Sequence, residues 1–467
     1  MKKQVLTLVA VVTFVTGIGQ AARADDMTDS GLQIPASVQE ETGVAMPSVV
    51  KDDAGAPSTP VAGSSQTQPE TQPVLPEPAP EPPGTPSGVA ESGGPKPWTL
   101  PEPCALKSLG IHQYGWLEQG ATFNSLSPAN GWNGPVVCND RSNDYEMNQL
   151  WVGWERPVNT HGCGWDIGGR IDVVYGSDWR YGDCYGLEST FDARNQLYGL
   201  ILPQFYLDVA YNDLTVRMGH YAASIGYEVV AAPGNFFYSH SYALGYSEPV
   251  LVTGLQADYK VNDNWNVIGG FHRGWNMFED DNTELDFLGG AKWHAEDHKT
   301  SLSWMMDIGP QDPAGKDDQW VYSLVFTRQI TEKLTYAAEH VMGGGVGEDP
   351  RTGGYAKWWG LDQYLIYTLN PCWSFGARAE VFRDQDGARV AGVGNVSLGW
   401  TGQPGFAGTF TEATVGLNWH PHPNIVVRPE CRWDCYSGTT NIQNQLPFGD
   451  GNRSSQFLYA TDVIFTF

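Results

Sequence analysis

A strict alternation of apolar and polar residues recurs in this chain from about residue 110 to its last residue. In one such segment, Ile171 and Val173 alternate with Arg170 and Asp172. Because successive side chains of a β-strand point to opposite faces, the apolar residues share one face and the charged residues share the other. The pattern predicts strands that are apolar on one side and wet on the other.

One hairpin supports this interpretation on both faces. Asn212 and Asp213 separate two alternating segments and form a predicted two-residue turn. This turn pairs apolar with apolar residues on one face and places Asp208 opposite Arg217 on the other. A single register therefore satisfies both faces.

Sixteen segments show the alternation, and the connections between them are short and long in turn. The pattern is weakest in the first, tenth and eleventh segments. Short turns at one end, longer loops at the other and an even number of strands are typical of outer-membrane barrels. The sequence predicts an all-β fold, an antiparallel up-and-down transmembrane β-barrel, with strands near 110–124, 146–157, 163–176, 197–211, 214–224, 250–261, 265–275, 284–294, 299–308, 319–328, 333–343, 355–369, 373–384, 407–420, 424–436 and 455–467.

The N-terminal region differs in composition from the barrel segments. Residues 1–24 combine a short positive segment, a brief apolar run and Ala22-Arg23-Ala24, which predicts a cleaved signal peptide rather than a membrane anchor. Residues 25–97 hold 14 of the 31 prolines and no aromatic residue, so we expect a disordered, acidic, Pro-rich linker. The linker could tether the protein to the cell wall or have no partner. Residues 98–467 form the predicted barrel.

A barrel of sixteen strands is wide enough to leave an aqueous channel. The third long loop, near 225–249, is the expected constriction and carries Glu228, His240 and Glu248; the alternative is an ordinary surface loop. Acidic residues also recur in the other long loops, where they could attract cations, hold divalent cations or simply be solvated. The charged residues expected to line the pore are Arg170, Asp208, Arg217, Asp258, Lys260, Arg378, Glu380, Arg428, Glu430, Arg432 and Asp434.

Enzymatic and metal-binding motifs are weak. His294 and His298 have the spacing of a metalloprotease helix, but they lie in a predicted turn and Glu296 is one position away from the motif. We therefore expect no metal, no cofactor and no catalysis. The net charge of −26 also argues against nucleic acid as a partner.

The chain has seven cysteines, so an exported protein would leave at least one unpaired. In the predicted topology Cys138 and Cys184 lie in long loops, and Cys104 and Cys163 lie at the opposite end. We hypothesise disulfides Cys138–Cys184 and Cys104–Cys163.

Several short motifs stand out in the predicted barrel: Gly115-Trp116-Leu117, Asn139-Asp140-Arg141, Asn148-Gln149-Leu150, Glu155-Arg156-Pro157, the segment 236–242 and Arg428-Pro429-Glu430. Together they resemble the OmpL-like β-barrel porin family of the bacterial outer membrane. The final strand ends in Phe467 and resembles the C-terminal signature that the barrel-assembly machinery reads. The resemblance implies a porin over about 110–467 but no particular solute.

The sequence thus predicts an outer-membrane porin for passive diffusion of small hydrophilic solutes, in contact with outer-membrane lipid. A barrel enzyme and an adhesive or structural barrel held by its linker are the alternatives. Association into a homo-oligomer stays open.

Overall fold

The computed structural model of the protein describes residues 96–189, 197–280, 282–346, 349, 352–390 and 405–467. The predicted signal peptide and the linker up to residue 95 lie outside the described residues. Sixteen strands dominate the described part: β1 (His112–Asn124), β2 (Asp144–Arg156), β3 (Trp165–Gly176), β4 (Gly199–Tyr211), β5 (Leu214–Ala222), β6 (Leu251–Asn262), β7 (Trp265–His272), β8 (Asp286–His294), β9 (Thr300–Pro310), β10 (Asp318–Gln329), β11 (Leu334–Gly345), β12 (Ala356–Asn370), β13 (Trp373–Asp384), β14 (Gly408–His422), β15 (Ile425–Gly438) and β16 (Ser455–Thr466).

The strands form one closed antiparallel barrel in which each strand pairs with its neighbours in the sequence. Strand β16 closes the ring against β1, with Trp116 opposite Thr466. Gly115 and Phe467 extend this pairing through two backbone hydrogen bonds of 3.0 and 2.9 Å. Closure leaves no free sheet edge, as a barrel in hydrocarbon requires.

The predicted hairpin is confirmed residue by residue. Asp208 pairs with Arg217, and Val209 pairs with Val216. Asn212 has a φ of 52°, a left-handed conformation that asparagine tolerates in tight hairpin turns.

The two ends of the barrel differ in their connections. We call the end with the connections 157–164, 212–213, 263–264, 295–299, 330–333, 371–372 and 423–424 the short-turn end. The opposite, long-loop end carries the loops L1 (125–143), L2 (177–198), L3 (223–250), L4 (273–285), L5 (311–317), L6 (346–355), L7 (385–407) and L8 (439–454).

Helices are few and short in the described part: α1 (Cys104–Ser108), α2 (Trp179–Gly182), a 3₁₀ turn (Ala232–Gly234) and α3 (Tyr242–Tyr246). None of the helices in the described ranges is long and apolar enough to cross a bilayer.

All sixteen predicted strands are confirmed, with ends that shift by a few residues. The weak alternation of the first segment has a local cause, because the register of β1 against β2 shifts between Glu118 and Gln119. The tenth and eleventh segments pair without interruption. Their alternation is blurred because inward positions hold buried apolar residues, Val321 and Val325 on β10 and Ala337 and Val341 on β11.

The outward face is apolar and ends in aromatic pairs at the short-turn end. Trp265 lies opposite Trp293, and Trp373 lies opposite Trp419 with ring centroids 5.6 Å apart. Such aromatic residues commonly mark the membrane interface of a barrel.

The chain before β1 contacts the short-turn end. The Trp98 backbone N–H donates to Asn424 Oδ1 at 2.6 Å, and its ring stacks on His422 at a centroid distance of 4.0 Å. Trp98 therefore lies beside the turn 423–424.

Candidate pore and its constriction loop

Strand register determines which predicted pore residues face the barrel interior. On β4 and β5, Leu207 and Met218 are 45% and 40% exposed on the outer face, whereas Asp208 and Arg217 form an ion pair of 2.9 Å on the inner face. The same parity holds around the ring. All eleven charged residues predicted to line the pore lie at inward positions of the register.

Five of these residues lie on β3 to β6, where part of the inner wall remains accessible to solvent. The side chains of Arg170, Arg217 and Lys260 are 22%, 29% and 35% exposed. Asp258 is half-buried and Asp208 is covered by its partner Arg217. The partly solvated residues among the predicted pore charges therefore lie on β3 to β6, toward the short-turn end.

Loop L3 enters the barrel and covers the opposite wall. Its aromatic side chains from Phe236 to Tyr246 are at most 8% exposed, and two of them form hydrogen bonds to inward wall residues. Tyr238 donates its hydroxyl to Asn148 at 2.8 Å, and Tyr242 donates to Asp434 at 2.9 Å. L3 is thus an internal loop.

Three arginines of the wall hold L3 through its backbone carbonyls. Arg378 donates to Ser239 O at 2.7 Å and Arg432 donates to His240 O at 2.6 Å. Arg428 donates to the carbonyls of Ala232 and Asn235 at 3.0 and 2.8 Å.

Two glutamates of the same wall accept the backbone N–H groups of L3. Glu380 accepts from Tyr242 and Ala243, each at 2.8 Å. Glu430 accepts from Tyr238 at 2.9 Å and from Ser239 at 3.2 Å. We call Arg378, Glu380, Arg428, Glu430 and Arg432 the loop latch.

The latch corrects one expectation from the sequence. Arg428 was expected to face water, but it is 2% exposed and the other latch residues are equally buried. Buried charges are tolerated only when they are paired and hydrogen-bonded, and the L3 backbone supplies those bonds. The residues that face inward but are covered are Arg378, Glu380, Arg428, Glu430, Arg432 and Asp434.

The predicted constriction residues all lie inside the barrel. Glu228 accepts hydrogen bonds from Ser241 N at 2.8 Å and from Arg378 at 2.8 Å, and it contacts His240 Nδ1 at 3.1 Å. Burial opposes its ionisation, but Arg378 and His240 hold the pKa of Glu228 below its usual value.

Glu248 is in a different environment. It is buried, and its Oε2 has no hydrogen-bond partner among the described residues. Burial raises the pKa of Glu248 well above its usual value, and the nearby carboxylates of Glu339, Asp362 and Glu228 act in the same direction.

Further loops fill the long-loop half of the barrel with an apolar core. Val137 of L1, Phe406 of L7 and Phe448 of L8 pack with inward wall residues such as Trp358 and Phe382. A lumen that is water-filled along its whole height, as the strand number suggested, is therefore not observed. In the described residues, loops cover the inner wall at the long-loop end. Toward the short-turn end, the wall remains solvated on the side formed by β3 to β6.

The hypothesised disulfides are absent, because all seven cysteines are free thiols. Cys138 packs in the core formed by L1 and L3, whereas Cys184 packs with Val250 and Leu251 in a separate cluster. Cys104 and Cys163 are both exposed, on α1 and in the turn 157–164.

The sequence did not reveal the partners of the latch arginines. Arg378 Nε donates to Glu412 at 2.5 Å, and Arg428 forms ion pairs with Glu118 and Asp462. Each carboxylate occupies an inward position on its own strand, so strand parity alone could have identified them as lumen residues.

One solved structure supports the fold, and two others match with lower scores. An anion-selective porin from Comamonas acidovorans matches with a TM-score of 0.51 at 9% identity, covering 76% of this chain and 99% of that one. The outer membrane channel DcaP of Acinetobacter baumannii matches with a TM-score of 0.46 at 10% identity, over 76% and 97% of the two chains. OmpT of Vibrio cholerae matches with a TM-score of 0.47 at 10% identity over the same shares. No curated protein matches the chain.

The family model described as putative beta-barrel porin-2, OmpL-like, matches residues 110–467, which is the whole barrel. The resemblance inferred from short motifs is therefore confirmed. The chain belongs to the OmpL-like family of β-barrel porins.

Proposed function

We propose that the protein is an outer-membrane porin that passes only small hydrophilic solutes, through a narrow passage between loop L3 and the wall formed by β3 to β6. The proposal rests on the uneven distribution of the L3 contacts around the barrel wall. Its bonds to charged wall residues concentrate on β13 and β15, and water-accessible charges remain on β3 to β6.

The start of L3 contacts this wall through Ala223, which packs against Tyr206, Tyr221 and Val252. Ser224 Oγ donates to Gln256 Oε1 at 3.1 Å, which joins the start of L3 to β6. Beyond it lie Arg217 and Asp258, both partly solvated. Mixed signs on this wall favour a weakly selective path for solutes.

Family membership and the barrel fold support location in the bacterial outer membrane. The proposal also includes a signal peptide, recognition of Phe467 by the assembly machinery, a cell-wall contact of the linker and a homo-oligomer. They agree with an exported barrel whose last residue pairs with Gly115 at the seam.

An enzymatic role is the weaker alternative. In the described ranges, Cys184 Sγ lies 3.8 Å from His220 Nε2, the spacing of a nucleophile near a base. Both side chains are fully buried, however, and burial raises the pKa of the Cys184 thiol, so the pair is unsuited to nucleophilic attack.

Liposome swelling tests the proposal directly. Vesicles that contain the full-length protein should swell in small amino acids and monosaccharides and should not swell in oligosaccharides. Vesicles that swell in none of these solutes would overturn it in favour of a closed structural barrel.

A further inference from the structure

Three chelating side chains converge on the inner face of the barrel near its long-loop end. His272 ends β7, Asp286 begins β8, and Asp307 lies on β9. His272 is paired with Asp286 in the register, and Asp307 is paired with Leu288 two positions further along β8. All three side chains are buried, and one ligand atom of each lies within 4.8 Å of the others.

A set of outer hydrogen bonds orients these three residues. Trp275 Nε1 donates to Asp307 Oδ1 at 2.8 Å, and the Gln311 amide donates to Asp286 Oδ2. His272 Nδ1 accepts the Gly274 backbone N–H at 3.2 Å and lies 3.3 Å from the Gly274 carbonyl, so the Gly274 backbone holds the imidazole ring in place. Second contacts of this kind fix the ring and carboxylates of metal ligands in proteins.

The cluster holds two buried carboxylates and one imidazole. His272 Nε2 contacts Asp307 Oδ2 at 2.6 Å. Within the described ranges, no Arg or Lys forms an ion pair with Asp286 or Asp307, in contrast to the arginine-paired carboxylates of the latch wall. Two buried carboxylates beside one imidazole would be stabilised by a bound cation.

We propose that His272, Asp286 and Asp307 bind a divalent transition-metal ion of the Zn²⁺ class. An imidazole nitrogen with two carboxylate oxygens suits such an ion better than Ca²⁺, which prefers an all-oxygen set. Three protein ligands leave one position for water. The ion would join the ends of β7, β8 and β9 beneath loop L4, a role beyond solute diffusion.

Zn²⁺ titration of the full-length protein in detergent, after removal of metals with a chelator, tests this site. Isothermal titration calorimetry should show one tightly bound Zn²⁺ ion per protein molecule. Removing a ligand with Asp286→Asn or His272→Gln should weaken binding by about 100-fold or more, since outer-contact changes alone cost about 10–100-fold. The control His298→Ala disrupts the stacked, surface pair His294–His298, whose centroids are 4.4 Å apart, and should leave the tight equivalent intact.

A second variant guards against a ligand variant that fails to fold. Trp275→Phe keeps all three ligands and removes one outer hydrogen bond, so Zn²⁺ binding should weaken by about 10-fold. Any one of four results would overturn the assignment. These are no tight Zn²⁺ binding by the wild-type protein, tight binding that persists in both ligand variants, loss of tight binding in His298→Ala, and equal affinity for Ca²⁺.

Discussion

Replacing Arg378 with Met should loosen the central part of loop L3 while leaving the barrel folded. Arg378 Nη1 contacts Glu228 at 2.8 Å and Ser239 O at 2.7 Å, and Nη2 contacts Ser239 Oγ at 3.0 Å. Methionine has a similar length but no charge, so it leaves Glu228 and Glu412 buried without their cation.

The magnitude follows from the burial of these groups. Removing one partner of a buried ion pair costs on the order of 3–5 kcal/mol. Part of this cost reflects the unpaired Glu412 in the wall and does not affect L3. We therefore expect Arg378→Met to favour the opening of L3 by about 3 kcal/mol, which raises the equilibrium constant for opening by a factor of about 100.

Hydrogen exchange measures this opening locally, because amide protection reports the free energy of local unfolding. In Arg378→Met, the amide of Ser241, which donates to Glu228 at 2.8 Å, should lose about 100-fold in protection. The matched control is Arg217→Met, since the Arg217–Asp208 pair is 29% exposed on the arginine side and should contribute about 0–1 kcal/mol.

A double variant checks the mechanism. Adding Glu228→Gln to Arg378→Met removes one unpaired buried charge and should recover part of the lost protection, a non-additive result expected of contacting residues. Unchanged exchange of the 228–241 segment in Arg378→Met, or the same loss in Arg217→Met, would refute the role of the latch.

Four further changes test other parts of the structure. The raised pKa of Glu248 means that L3 docks most strongly at low pH, near or below the ordinary glutamate pKa of about 4.3, and more weakly as the pH rises through the raised value. Channel conductance should therefore depend on pH, and Glu248→Gln should remove that dependence. Persistence of the full dependence in Glu248→Gln would contradict this role. Val427→Arg on the lipid-facing side of β15 should cost about 2–4 kcal/mol of stability in refolding titrations if the site lies near the bilayer midplane, whereas an unchanged midpoint would contradict outward placement. Phe467→Asp should lower the membrane yield far more than deletion of residues 30–90, and equal yields would argue against recognition of the last strand. Cysteines introduced at Asp280 and Asp317 should react with an impermeant reagent on intact cells; reaction only after permeabilisation would invert the topology.

The strand pattern could be predicted from the sequence because strand parity is a local property. The Asp208–Arg217 pair needed only a two-residue turn and a period of two. The inward position of Arg428 on β15 follows from the same rule.

The surroundings of those inward residues could not be predicted in this way. Whether Arg428 meets water or Ala232 O depends on the path of L3, which lies some 190 residues away in the chain. The buried aromatic residues of L3, such as Phe237 and Tyr242, likewise have partners on distant strands. His272, Asp286 and Asp307 are likewise too far apart in sequence to form a recognisable motif.

Single-channel recording in planar bilayers tests the central claim, that L3 narrows a porin channel from inside the barrel. The full-length protein should give small, stepwise conductance, and a variant in which a short Gly-Ser link replaces residues 229–241 should give clearly larger steps. Equal conductance in the two proteins, or silence in both, would contradict the account.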